Sequence, residues 1–185
     1  TANLFFSEYA EGSSNNKYLE IFNGSEEDVD LSGYSLSSCS NGCDDGVSFD
    51  YPDNVTFDSG TTVAAGDVYV VCHGSADDII QAECDQQHTY LSNGDDGFCL
   101  VSGTETSFTI IDCIGDWSTV DPGDGWEVAG VINGTKEHTL VRKIDVTSGN
   151  NGDWNTSAGT NIDDSEWHVL SQNTWDYLGT HPHDI

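Results

Sequence analysis

Phe6-Ser7-Glu8-Tyr9-Ala10-Glu11-Gly12-Ser13-Ser14-Asn15-Asn16-Lys17-Tyr18-Leu19-Glu20-Ile21-Phe22-Asn23 places two aromatic-rich runs, the second carrying Ile21, on either side of a loop of small polar residues. Strands are predicted over Asn3 to Tyr9 and Lys17 to Phe22, because bulky and β-branched side chains fit a pleated surface. Glu11 to Asn16 has the Gly, Ser and Asn content of a hairpin loop. Leu19 and Ile21 alternate incompletely with Tyr18, Glu20 and Phe22, which predicts one buried face and one wetter face.

Outward from this hairpin, short strand-like runs recur between clusters of Gly, Asn, Asp and Ser. Tyr34 to Leu36, Val47 to Phe49, Val55 to Phe57 and Thr61 to Ala64 are candidates. Val68-Tyr69-Val70-Val71-Cys72 is a continuous apolar run and predicts an interior strand. Phe98 to Val101 and Phe108 to Ile114 bracket a turn-rich segment and predict a second hairpin. Later strands are expected at Trp126 to Val131, Thr139 to Lys143 and Trp167 to Leu170. Ser75 to Glu83 departs from this pattern: a capping serine, acidic residues in the first turn and apolar helical spacing predict one short helix. Many strands and one helix predict an all-β sandwich over residues 1–185, read as a single domain.

Thirty-three carboxylates face four Lys and Arg, a net charge of −29. Nucleic-acid affinity rests on basic side chains neutralising phosphates, so nucleic acid is excluded as a partner. No run approaches the roughly 18 apolar residues of a membrane span, so no membrane insertion is expected. The expected partners are copies of the chain, other extracellular proteins or glycans. Six cysteines and no methionine predict three disulfides and a secreted, extracellular or cell-surface location. Six cysteines allow 15 pairings, which sequence does not resolve; the set expected if the bridges are sequence-local is Cys39–Cys43, Cys72–Cys84 and Cys99–Cys113. The chain begins without an initiator Met or signal segment, which reads as a leader removed before residue 1.

No G-x-S-x-G elbow, P-loop, dinucleotide fingerprint or H-E-x-x-H occurs, and the six histidines are scattered, so no enzyme is expected. No cofactor is required. Calcium takes carboxylate and carbonyl oxygens on loops, and it fits three acidic loops best. These are Asp44-Asp45, Asn93 to Gly97 and Asp116 to Asp124, giving Asp95, Asp96, Asp116, Asp121 and Asp124 as ligand candidates. His181-Pro182-His183 reads as a loose terminus rather than a metal site. Sequons stand at Asn23, Asn54, Asn133 and Asn155. Trp117, Trp126, Trp154, Trp167 and Trp175 serve packing on base rates, with sugar contact the alternative.

Two stretches carry a family resemblance. Residues 6–23, with Asp30-Leu31-Ser32-Gly33-Tyr34 behind them, resemble the opening of a lamin-tail domain of the kind attached to secreted bacterial and algal proteins. Leu140-Val141-Arg142-Lys143, Asp153-Trp154-Asn155, Ser157 to Thr160, Ser165-Glu166-Trp167, Trp175 and Leu178 to His181 resemble its closing segment. The resemblance implies an immunoglobulin-like β-sandwich and an interaction module without catalytic residues. The cysteines and the acidic middle, residues 39–125, depart from the family pattern. Ion pairs are expected from Lys17 to a nearby Glu and from Arg142 to Glu166.

The expected function is a non-catalytic extracellular structural or interaction module. It is expected to self-assemble into a layer or fibre through strand addition by the apolar segment Leu4, Phe5 and Phe6. Two alternatives belong to other classes. One is the accessory domain of a secreted nuclease, for which the reading frame continues past Ile185. The other is a calcium-dependent glycan-binding module.

Overall fold

The computed structural model describes residues 2–118 and 121–185. The opening segment folds into the expected hairpin, β1 (Leu4–Glu11) and β2 (Lys17–Asn23), with Glu11 opposite Lys17 across the loop. There follow β3 (Val29–Asp30), β4 (Tyr34–Cys39), β5 (Tyr51–Thr56), β6 (Thr62–Val63), β7 (Val68–Cys72), α1 (Asp78–Glu83) and β8 (Gln86–Gln87). The chain continues with β9 (Gly97–Thr104), β10 (Ser107–Ile114), β11 (His138–Arg142), α2 (Trp154–Ala158) and β12 (Trp167–Ser171).

A six-stranded sheet, ordered β12-β11-β1-β2-β7-β8, packs on a four-stranded sheet, ordered β10-β9-β4-β5. Leu4, Phe6, Tyr9, Leu19 and Ile21 of the first sheet meet Leu36, Val55, Phe98 and Leu100 of the second. The far face of the larger sheet is covered as well. Ala10, Tyr18, Val70 and Cys72 lie beneath Ile80 of α1 and beneath Trp175 and Leu178 of the C-terminal segment. The far face of the smaller sheet packs Cys39, Cys99, Val101 and Cys113 against Phe49. Double coverage explains the weak alternation in the sequence. All eight residues of β1 are buried, and a strand buried on both faces has no wet side to mark.

The three disulfides close as expected, with Cα separations of 4.9, 5.7 and 4.1 Å for Cys39–Cys43, Cys72–Cys84 and Cys99–Cys113. Cys72–Cys84 ties α1 to the larger sheet, and the other two lie in the outer cluster of the smaller sheet. Closing loops of the latter two spacings is worth about 3 kcal/mol each in the chain-entropy picture.

Several expectations change. Leu4, Phe5 and Phe6 are not a free pairing segment: β1 is hydrogen-bonded to β11 on one side and β2 on the other. The three side chains are at most 2% exposed. The helix starts at Asp78, capped at Asp77, because Ser75 and Ala76 are held in a turn by His73. A second helix, α2, was not expected; Asp153 caps it through the Thr156 N–H, and it buries Trp154. Trp126 to Val131 is not a strand. Ala129 and Gly130 take φ of 54° and 79°, so the segment folds back and Val128 bridges Val131. Val47 to Phe49 is a loop in which the Asp45 carboxylate accepts from the Val47 and Ser48 N–H groups. The C-terminus is not loose. His181 is 8% exposed and packs edge-on to Phe5 and Phe22.

Candidate functional site

Three buried groups of charged residues lie in the sandwich, and each is taken up by structural contacts. Arg142 in β11 is fully buried and pairs with Asp112 at 3.0 Å and with Glu166 at 2.8 Å, the latter as expected. Its guanidinium lies 4.4 Å from the Trp167 ring centre, and Asp112 also accepts from the Phe6 and Asn150 N–H groups at 2.8 Å. Burial pushes the Asp112 carboxyl up, opposed by Arg142. Lys17 meets the expected Glu in Glu11 at 3.4 Å and donates to the Ser92 carbonyl at 2.9 Å and to Asn93 Oδ1 at 2.5 Å.

Glu8 and Glu20 face each other across β1 and β2 on the far face of the larger sheet. Tyr18 donates its hydroxyl to Glu8, Ser7 donates to Glu20 at 2.7 Å, and the Gly179 N–H donates to Glu20 at 2.7 Å. Burial pushes Glu20 up to about 7, and burial with the neighbouring Glu20 raises Glu8 well above the usual carboxylate range. Of these groups, Lys17 borders a cleft and Glu11 a shallow hollow, but both residues are at most 8% exposed and already paired with each other.

The five candidate calcium ligands are dispersed. Asp96 accepts from the Asn41 and Asn93 N–H groups, and Asp116 accepts from Ser118 and from Asn155 Nδ2. Asp121 holds the Gly123 N–H, and Asp124 pairs with Lys136 at 2.8 Å. Asp95 and Asp124 border one shallow hollow with Glu11, Glu137 and Lys136. Among the described residues no three His, Cys, Asp or Glu side chains gather as a metal-holding group.

The sequons also separate. Asn23 is fully buried, its amide donating to the carbonyls of Glu27, Val63 and Ala64, so a glycan there would displace a turn built around it. Asn54 is half-buried and donates to Ser38, Asn133 is half-buried, and Asn155 is exposed. The tryptophans pack inward. Trp126, Trp154 and Trp167 are buried, Trp117 stacks on Phe49 at 5.2 Å, and Trp175 lies against the cluster under α1. The glycan reading through exposed tryptophan is therefore corrected.

What remains is a cleft of about 440 Å³ that sequence reasoning missed. It opens at the end of the sandwich where β2 and β9 begin, β4 and β7 end, and β5 enters. Cys39 of the Cys39–Cys43 bridge forms part of its wall, and Asn93 and Asp96, on either side of the turn at Gly94, also line it. Gly94 has φ of +112°, and a Cβ there would lie 2.6 Å from the Lys136 Cβ and 2.8 Å from the Asp124 carbonyl, so only glycine fits. Tyr90 and Tyr51 line the cleft at 78% and 55% exposure. The exposed side chains of Asn15, Asn41 and Thr89 also line it and make no hydrogen bond among the described residues. Its two charged residues, Lys17 and Asp96, are spent on the internal bonds given above. Sequence gave little signal here because the lining comes from six separate segments.

The two-sheet sandwich, with its buried charges engaged in structural contacts, defines an immunoglobulin-like structural or interaction domain. The chain belongs to the lamin tail domain family: it matches the Lamin Tail Domain over residues 1–176. That family is non-enzymatic in character. Comparison with curated proteins and with solved structures returned no match. No helix among the described residues is long and apolar enough to cross a membrane.

Proposed function

We propose that this chain is a secreted, non-catalytic binding module whose contact surface is the tyrosine-lined cleft. The observation that carries the reading is the pairing of two exposed tyrosines with a rigid, disulfide-walled concavity. Tyrosine is enriched at contact surfaces, where it supplies broad amphipathic contact at low entropic cost. Three disulfides fit an oxidising, extracellular setting. The net charge of −29 argues against nucleic acid and anionic membranes as partners. The test uses labelled protein on intact producing cells and their extracellular material. Wild type is expected to adhere, and the Tyr51→Ala/Tyr90→Ala variant to lose about tenfold or more in affinity at unchanged Tm. Undiminished adhesion of the variant moves the contact surface elsewhere. Absence of adhesion by either protein ends the reading.

A second reading, self-assembly, now rests on β12 instead of Leu4 to Phe6. Three of the four outer edges of the two large sheets are blunted. β8 has two residues, β5 is interrupted by Pro52 and by Asp53 at φ 50°, and β10 is covered by hydrogen bonds from Asn150 and Asn151. β12 pairs only with β11 and leaves an open edge of five residues. Like-charge repulsion opposes assembly, so light scattering is expected to rise with salt or calcium. A monomer under every condition eliminates this reading.

A further inference from the structure

We infer that the cleft takes a neutral saccharide and does so without a metal ion; this rests on its being the contact surface. The ligand class follows from what the lining offers. A chain with 33 carboxylates places a single one, Asp96, among the residues of this cleft. That carboxylate already accepts two backbone N–H groups, from Asn41 at 2.9 Å and Asn93 at 3.2 Å. The one cation, Lys17, is 6% exposed and holds Glu11, Ser92 and Asn93. Apart from the His73 imidazole, whose Nδ1 accepts from the Ser75 N–H, an ionic ligand would find no uncommitted ionisable side chain in the cleft.

The free groups are of another kind. A primary amide presents two donors and an acceptor side by side, which matches adjacent hydroxyls that both give and take hydrogen bonds. Asn15 and Asn41 supply two such amides from different loops, and Thr89 adds a hydroxyl. Tyr51 and Tyr90 add aromatic surface for the apolar C–H face of a pyranose, with their own hydroxyls in water. The polar and apolar functions of a sugar are thus both met, and a purely apolar ligand would leave the amides unpaired.

The wall is also preorganised. Cys39–Cys43 closes the loop beside Ser40 and Asn41, and the Asn93 side chain is fixed by Lys17. Binding therefore costs little loop ordering. No acidic loop enters this cleft as a set of ligands, so calcium has no part in it.

The experiment is titration of isotope-labelled protein with neutral gluco-, manno- and chito-oligosaccharides, with and without EDTA, followed by amide chemical shifts. A cationic peptide forms a parallel arm. At least one sugar is expected to shift amides within residues 38–43 and 89–96, equally in both EDTA arms. Tyr90→Ala is expected to weaken that sugar about tenfold, with Tyr90→Phe close to wild type. Loss of the shifts in EDTA overturns the metal-free part. Peptide shifts in the cleft without sugar shifts overturn the ligand class while leaving the contact surface standing. Silence of the cleft in every arm overturns both.

Discussion

Arg142→Met is expected to lower the unfolding free energy by about 3–5 kcal/mol, read from urea titration. The arginine is fully buried, as is Asp112, and it neutralises two carboxylates at once. Methionine fills similar volume but leaves Asp112 as an uncompensated buried charge. Phe6 and Asn150 N–H groups still reach that carboxylate, but neither carries a full charge. The deficit is expected to shrink in acid. Without Arg142, burial raises Asp112 further, so the folded state takes up a proton that the unfolded state lacks. Stability is then retained at low pH and lost as pH rises. Arg142→Lys is not expected to rescue, because one ammonium cannot meet Asp112, Glu166 and the Trp167 face together. A loss below about 1 kcal/mol, the scale of an exposed pair, would show that Arg142 is not the anchor described.

Glu20→Gln is expected to stabilise the protein at pH 8 and to leave it nearly unchanged at pH 4.5. The ordinary Glu20 value of 4.5 rises to about 7 in the fold, chiefly through burial. Between those values the folded state holds a proton that the unfolded chain has released. Stability therefore falls as pH climbs through this window and levels off above it, by about 3 kcal/mol. Glutamine imitates the protonated form: its oxygen accepts from the Gly179 N–H and its amide donates to Ser7. Glu8, Glu83 and Asp67 surround the site with like charge, and Asp176 adds to it at Glu8. His181 complicates the wild-type curve alone. Burial depresses it to about 4, so its contribution runs the other way, lost as pH falls from its usual 6.5 toward 4. The readout is accordingly the variant-minus-wild-type difference in unfolding free energy from pH 4.5 to 8. A difference constant with pH would rule out a proton held on Glu20.

The opening hairpin was legible because its loop and both strands carry local chemistry that no distant contact needs to supply. The same holds for the Val68 to Cys72 run, for the hairpin at β9 and β10 and, within three residues, for α1. The misreadings share one cause. Val128 to Val131 has strand composition, yet Ala129 and Gly130 adopt left-handed backbone to suit their neighbours. Residues 154–158 have no helical periodicity beyond one turn, and α2 exists because Trp154 needs burial against Trp167 at 6.3 Å. His181 carries no sign in its neighbours that Phe5 and Phe22 await it. The cleft was illegible for the same reason, its lining being assembled from the loops at the ends of β4, β5, β7 and β9.

Residue identity and spacing alone settled the all-β class, the family and the presence of three disulfides, since each depends on short-range pattern or cysteine count; the cysteine connectivity and the Glu11 partner of Lys17 came from the fold. Tertiary packing decided which strand edges stay open, which carboxyls burial pushes upward, which asparagines remain accessible and where a ligand can enter. Those properties belong to the distances between remote segments, and burial on both faces of a sheet erases the alternation that would have announced them.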